Sequence, residues 1–434
     1  MILFNPVVVA VFVMSILCLF RMNVLLSIIS ASIVAGLVSG MGVIETIDIM
    51  IAGMKGNLET ALSYILLGAL AVAIARGNLT KVLIFKMTKL INGRALFLCF
   101  FIAFIACFSQ NLIPVHIAFI PILIPPLIGI MNKLKIDRRA IACALTFGLE
   151  APYICIPVGF GLIFHTILRD QMIQNGMQVS LSDIASVMWI GGLSMLVGLV
   201  VAILILYRKP REYREEIFAK EEVKLQNAHL GISDYFTMVG AIIAFGVQIY
   251  TGSLPLGAFV GLIVMLVGKV IKWNEMDMVI DEGMKMMAFI AFVMLIAAGF
   301  GEVLKESGAI GDLVSATANM VGGKLGGAVL MLVIGLLVTL GIGTSFGTIP
   351  VIAAFYCPLC VELGFGMSAT ILLLGIAGAL GDAGSPASSS TMGPTSGLNV
   401  DGQHNHIWDT CVPTFIAYNI PLMIFGVVGA MILG

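Results

Sequence analysis

Charge is what this sequence has least of. Only 11% of its 434 residues are Asp, Glu, Lys or Arg, where a soluble domain carries about 25%. Such a chain cannot cover a globule with polar surface, so water is excluded as its main solvent. The two signs nearly cancel, at a net charge of −1, and no basic groove for a nucleic acid is legible. Catalytic signatures are missing as well: no HExxH and no Walker A loop occurs. An intramembrane protease and an ATP-driven pump are therefore disfavoured, and the chain reads as a non-enzyme without a cofactor. The eight cysteines are scattered through apolar stretches, where a thiol behaves as a small hydrophobe. The lone CxxC, Cys357 to Cys360, has no partner pair and reads as packing rather than metal.

Apolar residues are what the chain has in excess, at 60% of the total and a mean hydropathy of +1.10. A membrane helix needs about 20 mostly apolar residues. Windows of that kind lie at 2–20, 23–41, 57–75, 95–131 (a bent pair), 140–168, 186–207, 235–250, 255–271, 288–304, 326–363 (a second bent pair), 368–398 and 412–433. With each bent pair taken as two, the expectation is fourteen passages through a lipid bilayer; whether the bent pairs are re-entrant or cross fully stays open. The first run begins at Ile2 with no basic residue before it, which predicts a transmembrane helix rather than a cleaved signal. If the N-terminus starts outside, inside loops carry 19 of the 23 Lys and Arg and outside loops only Lys55, Arg169, Lys305 and Lys324. The positive-inside rule then predicts both termini outside.

The chain also repeats itself. Gly53-Met54-Lys55 recurs as Gly283-Met284-Lys285, Ile113-Pro114-Val115 as Ile349-Pro350-Val351, and Pro152 and Gly159 as Pro386 and Gly393, at offsets of 230 to 236. Seven passages in each copy force opposite orientations. The expected class is an all-α polytopic membrane protein of two inverted-topology repeats, 1–207 and 235–434, joined by a cytoplasmic linker at 208–234. Inverted repeats with interrupted helices are a secondary-transporter pattern.

The interruptions come in matched pairs. Ser109-Gln110-Asn111 before Pro114 corresponds to Thr344, Ser345 and Thr348 before Pro350; Glu150 before Pro152 corresponds to Asp382 before Pro386, followed by Ser388, Ser389, Ser390 and Thr391. In lipid, non-helical backbone survives only where protein or a wet cavity satisfies it, and the freed carbonyls and half-helix ends can hold ions. The candidate substrate- and ion-binding residues are thus Asp382, Glu150, Ser109, Gln110, Asn111, Thr344, Ser345, Thr348, Ser385, Ser388, Ser389 and Thr391. Intramembrane acids are costly and functional by default. With no Lys or Arg in these breaks, a cation or zwitterion suits them better than a dianion. Asp401, His404, His406 and Asp409 form a polar stretch that reads as a gate or proton relay; its His-x-His pair lacks the further ligands a metal needs. Glu302 reads as interfacial, and His116 and His165 as structural.

The run Gly381-Asp382-Ala383-Gly384-Ser385-Pro386-Ala387-Ser388-Ser389-Ser390-Thr391, with Gly393-Pro394-Thr395, resembles the NhaC-like sodium/proton antiporter family of the ion transporter superfamily. The stretch from Gly397 to Thr410 is similar to a GLNxDGQHxHIWDT pattern in a branch whose members are named sodium/proton antiporters or amino-acid transporters, histidine among the suggested cargoes. The resemblance implies two inverted repeats with paired helical hairpins, broken helices meeting at a central site, and a homodimer. It also exposes a departure, since the family pattern GDxxSPxSD has an acid where this chain has Ser389; one expected sodium ligand is neutral here.

The expected function is a secondary carrier of the inner membrane, coupled to H+ or Na+, moving a small zwitterionic or cationic solute such as an amino acid. Two rivals are a sodium/proton antiporter without organic cargo and a non-transporting membrane subunit, which would not need matched breaks with acids.

Overall fold

The structure, a computed structural model, describes residues 4–20, 22–75, 95–111, 120, 124–214, 231–309, 322–386 and 388–434. All regular structure among them is helical, as lipid requires of a chain that cannot leave backbone groups unpaired. Helices α1 (Pro6–Leu19), α2 (Val24–Val38), α3 (Val43–Gly53) and α4 (Leu58–Ala75) are followed by α5 (Ala95–Asn111), α6 (Pro125–Lys133), α7 (Arg138–Cys155), α8 (Phe160–Gln174) and α9 (Leu181–Val201). Beyond the linker come α10 (Ile232–Thr251), α11 (Leu254–Val267), α12 (Met276–Glu306), α13 (Lys324–Ile342), α14 (Ser345–Glu362), α15 (Met367–Ala379), α16 (Ser389–Leu398) and α17 (Val412–Leu433). π-Helical turns extend α9 to Leu206 and precede α17 at His406–Cys411.

Every predicted apolar window contains a helix or helix pair. Three described helices are long and apolar enough to cross a bilayer, at Leu181–Leu206, Ser345–Glu362 and His406–Leu433, while α7 and α8 qualify together with a bend of 47°. The others are shorter apolar helices or fall short of that measure among the described residues. The bend expected near Pro114 and the histidine His116 lie outside the described residues. Helix α3 was not anticipated, because Glu45 and Asp48 interrupt its apolar run; Glu45 caps the backbone N–H of Gly42.

Interhelical packing is reciprocal. Helix α2 packs on α12 as α11 packs on α4, and α9 packs on α15 as α17 packs on α7, while α3 and α4 cross α12 at two points where glycines replace side chains. At one, a Cβ on Gly68 would sit 2.5 Å from the carbonyl oxygen of Gly283, and a Cβ on Gly283 would overlap the backbone of Ala69. At the other, Gly53 faces Glu302 and Gly299 faces Met50. Small residues at such crossings let backbones approach where lipid supplies no hydrophobic drive between helices. Gly283→Leu is expected to force α4 and α12 apart and lower the thermal midpoint by many degrees, since overpacking here meets backbone. Gly246→Leu, where a Cβ meets nothing within 4 Å, should leave it unchanged. Thermal unfolding monitored by size-exclusion fluorescence compares the two.

Polar segments collect at two opposite ends of the α7–α8 pair. At the α7 end, residues 132–139, 207–214 and 399–409 interlock: Lys135 pairs with Glu212 at 2.6 Å, the Arg138 N–H donates to the Tyr213 hydroxyl, and Arg211 pairs with Asp409 at 2.7 Å. At the α8 end lie Gly53, Asn175 and Lys305. Asn5 donates to the Ala309 carbonyl and Lys324 to that of Gly434. The charge-based topology assigns these two groups to opposite membrane faces.

Candidate functional site

The site is built on two helix breaks. In the first, Pro152 stands inside the last turn of α7 and Pro157 follows it, so the chain bends before α8. The carbonyl of Ile154 is met by His165 Nε2 at 2.9 Å, which gives that buried histidine a structural partner. In the second, α15 stops at Ala379 and α16 starts at Ser389, capped by the Ser388 hydroxyl. Between them Gly381 and Gly384 adopt φ of +85° and +101°, which favours glycine, and a Cβ on Gly384 would meet Phe415 at 2.5 Å. Asn419 of α17 clasps this loop, accepting from the Gly381 N–H and donating to the Ala383 carbonyl, both at 2.7 Å. Ser385 donates to the Leu340 carbonyl, and Thr391 to those of Ser385 and Ser388. The loop's freed backbone groups thus find protein partners.

The loop presents Asp382 to the start of α14. Its Oδ2 accepts from the Tyr153 hydroxyl at 2.9 Å, the Ser345 hydroxyl at 2.7 Å and, more weakly, the Ser345 N–H at 3.4 Å. Its Oδ1 accepts from the hydroxyl of Ser388 and from that of Ser390 at 3.3 Å. Four hydroxyls and a helix N-terminus therefore satisfy this buried carboxylate, with no Lys or Arg on it among the described residues. Glu150, on α7, is fully buried beside Ser390 and Asp382, yet among the described residues neither of its carboxylate oxygens has a hydrogen-bond partner. The Tyr64 hydroxyl on α4 is also buried without one among the described residues. Unpartnered polar groups of this kind cost free energy unless something else meets them.

Aromatic rings close the space. Phe346 sits 5.4 Å from Tyr153, 6.0 Å from Tyr64, 6.1 Å from Phe164 and 6.3 Å from Phe160, ring centre to ring centre. Sequence reasoning missed this group. One signal was available: Tyr153 stands three residues after Glu150, on the same helical face.

Of the residues picked out by sequence, the structure brings together Asp382, Glu150, Ser345 and Ser388, with Ser390 beside them. Ser388 and Ser390, on either side of Ser389, bond to Asp382; half-buried Ser389 is the first residue of α16. Ser385 and Thr391 hold the loop. Thr348 donates to the carbonyl of Thr344, its own helix's N-cap. Ser109, Gln110 and Asn111 end α5, but their side chains lie outside the described set.

Residues 144–427 match the model of the Na+/H+ antiporter family, and residues 5–91 that of the Na+-H+ antiporter family. The chain belongs to the Na+/H+ antiporter family. An uncharacterised membrane protein of Vibrio parahaemolyticus is 48% identical over 99% of this chain and its own full length. A Bacillus subtilis protein whose name proposes an amino acid transporter, YuiF, is 46% identical with the same coverage. Two solved transporters share the fold: Neisseria gonorrhoeae MtrF, from a class of antimetabolite efflux pumps, at a TM-score of 0.59, 14% identity and coverage of 91% of this chain and 85% of MtrF; and Alcanivorax borkumensis YdaH, at 0.59, 15%, 88% and 86%. This Na+/H+ antiporter family member is a membrane-embedded secondary transporter of a small solute or ion, not an enzyme.

In this antiporter-family chain the 399–409 segment is held by ion pairs. The guanidinium of Arg138 donates to both Asp401 oxygens, at 2.6 and 2.5 Å, to the Leu398 carbonyl and to Asn132, and stacks on Tyr213. That partner holds Asp401 below the usual carboxylate range despite its burial. Asp409 pairs with Arg211. Burial pushes the His404 imidazole down to about 4, so it is neutral at physiological pH. Its Nε2 meets the Thr410 hydroxyl at 2.7 Å; Thr395 joins Thr410 at 3.0 Å to His406 Nδ1 at 2.8 Å, and His406 Nε2 meets the Pro386 carbonyl at 3.0 Å. Asp401→Asn would leave Arg138 buried and half-paired, a change that typically costs about 3–5 kcal/mol. A thermal midpoint lowered by several degrees is expected, with Arg138→Lys giving a similar drop because a lysine cannot reproduce the fork.

Proposed function

We propose that this chain carries a small ammonium-bearing solute, an amino acid in zwitterionic or cationic form, across the inner membrane, coupled to a proton or sodium gradient. The observation that carries the reading is the contrast between the two acids. Asp382 is fully hydrogen-bonded by hydroxyls, which can donate or accept, so it can hold or release a proton while the loop keeps its shape. Glu150 and the Tyr64 hydroxyl are buried and have no hydrogen-bond partner among the described residues, and an ammonium of the cargo, or a hydrated cation, would satisfy them. The ring group around Phe346 adds aromatic surface beside them, a setting for cation–π contact. The name of the Bacillus relative supports an amino acid as cargo.

In this reading residues 1–207 and 235–434 are inverted repeats joined by a cytoplasmic linker at 208–234, both termini face outside, and the transporter is a homodimer. The reciprocal helix packing and the sorting of polar segments to two ends support the repeats and the topology. The 399–409 segment is a gate on the cytoplasmic face: its hydrogen-bond chain ends on the Pro386 carbonyl, which holds the loop but passes no proton onward.

The test is uptake of labelled common amino acids into proteoliposomes under an imposed proton or sodium gradient. Gradient-dependent accumulation of one or a few is expected; uptake of none, alongside sodium-driven proton flux, would make the chain an antiporter without organic cargo.

A further inference from the structure

The break site does not use the cavity at the α8 end of the protein. Its volume is about 380 Å³, a size that accepts a small metabolite. Gln171, Gln174 and Asn175 line it from the end of α8, Glu302 and Lys305 from α12, and Pro350 and Ala354 from α14, on the helix that begins at Ser345 of the break site. Small residues keep it open: Gly53, Ala298 and Gly301 line it too, and a Cβ on Gly301 would meet the Pro350 carbonyl at 3.1 Å.

The charges select the ligand. Glu302 and Lys305 stand three residues apart, on one face of α12, and both line the cavity. A metal cation would be repelled by the ammonium and a simple anion by the carboxylate. A zwitterion carries its ammonium and carboxylate on one carbon and so bridges a Glu and a Lys one turn apart, while amides bind whatever polar groups remain. We propose that this cavity is a second binding site for a zwitterionic amino acid, which loads or releases cargo on the face opposite the 399–409 segment. The proposal rests on the amino-acid reading of the central site.

Equilibrium binding of labelled common amino acids to the purified full chain in lipid nanodiscs tests it. Two molecules per chain of the best-bound amino acid are expected. At a ligand concentration that just fills the native protein, one should remain after Glu302→Gln, which keeps the side-chain shape, and after Ala354→Leu, which fills the cavity; Glu150→Gln should also leave about one, and Glu150→Gln with Glu302→Gln almost none. One molecule per chain in the native protein, unaltered by Glu302→Gln and Ala354→Leu, would overturn the second site and leave the central reading standing. Binding of none would overturn both.

Discussion

Asp382→Asn is expected to reduce gradient-driven uptake to the level of empty vesicles while the protein stays folded. The asparagine keeps the shape of the side chain, and its four hydroxyl neighbours can turn to accept from an amide as readily as they donate to a carboxylate. What it cannot do is gain or lose a proton. If Asp382 carries the coupling charge, the variant should still exchange labelled cargo down its own gradient in counterflow, losing only the response to an imposed proton or sodium gradient. Ordinary coupled uptake by a folded Asp382→Asn protein would return this carboxylate to a capping role at the start of α14.

Glu150→Gln should act differently. The cost of losing a charge-assisted contact is about 1.5–3 kcal/mol, so the concentration for half-maximal uptake should rise about tenfold to a hundredfold. At the same time, the substrate-free protein should become more stable, because a neutral amide buried without partners costs less than a carboxylate in the same place. Weaker cargo affinity together with a raised thermal midpoint is a combination that a structural capping role does not produce. An unchanged half-saturation value would remove Glu150 from the cargo site.

Much of the site was legible in the sequence because membrane helices advertise their interruptions. Pro152, Pro386 and the serine run after Asp382 each break a helix locally, and an acid before each proline stands out in a chain so poor in charge. Ser345 was readable for the same reason, through Gly343 and the proline at 350. What was not legible depends on contacts between remote segments. Tyr153 reaches Asp382 from α7 across 229 positions, Asn419 clasps the break from α17, and Arg138 meets Asp401 across 263 positions; no local pattern encodes such pairs. The sequence reads Asp401 and Asp409 as part of a gate or proton relay, and the structure places both in ion pairs with arginines from other segments. Helix α3 was missed for a simpler reason: its two acids make it amphipathic, and a window tuned to wholly apolar runs passes over it.

The position of Ser389 also acquires a meaning that the motif alone did not give. The hydroxyls on either side of it hold Asp382, and Ser389 itself begins α16. An acid there would add negative charge at a helix N-terminus beside Asp382, a favourable place for one; its absence supports a coupling that leans on protons.

The most direct test of the account is the proton flux that accompanies cargo. Proteoliposomes containing the protein and an internal pH-sensitive dye, in sodium-free buffer, would receive the transported amino acid from outside. For proton coupling the account predicts an internal pH change that follows amino-acid addition, saturates with its concentration and disappears in Asp382→Asn; for sodium coupling it predicts amino-acid uptake that starts only when sodium is added and is lost in the same variant. A pH change that ignores the amino acid and appears only on adding sodium would contradict it.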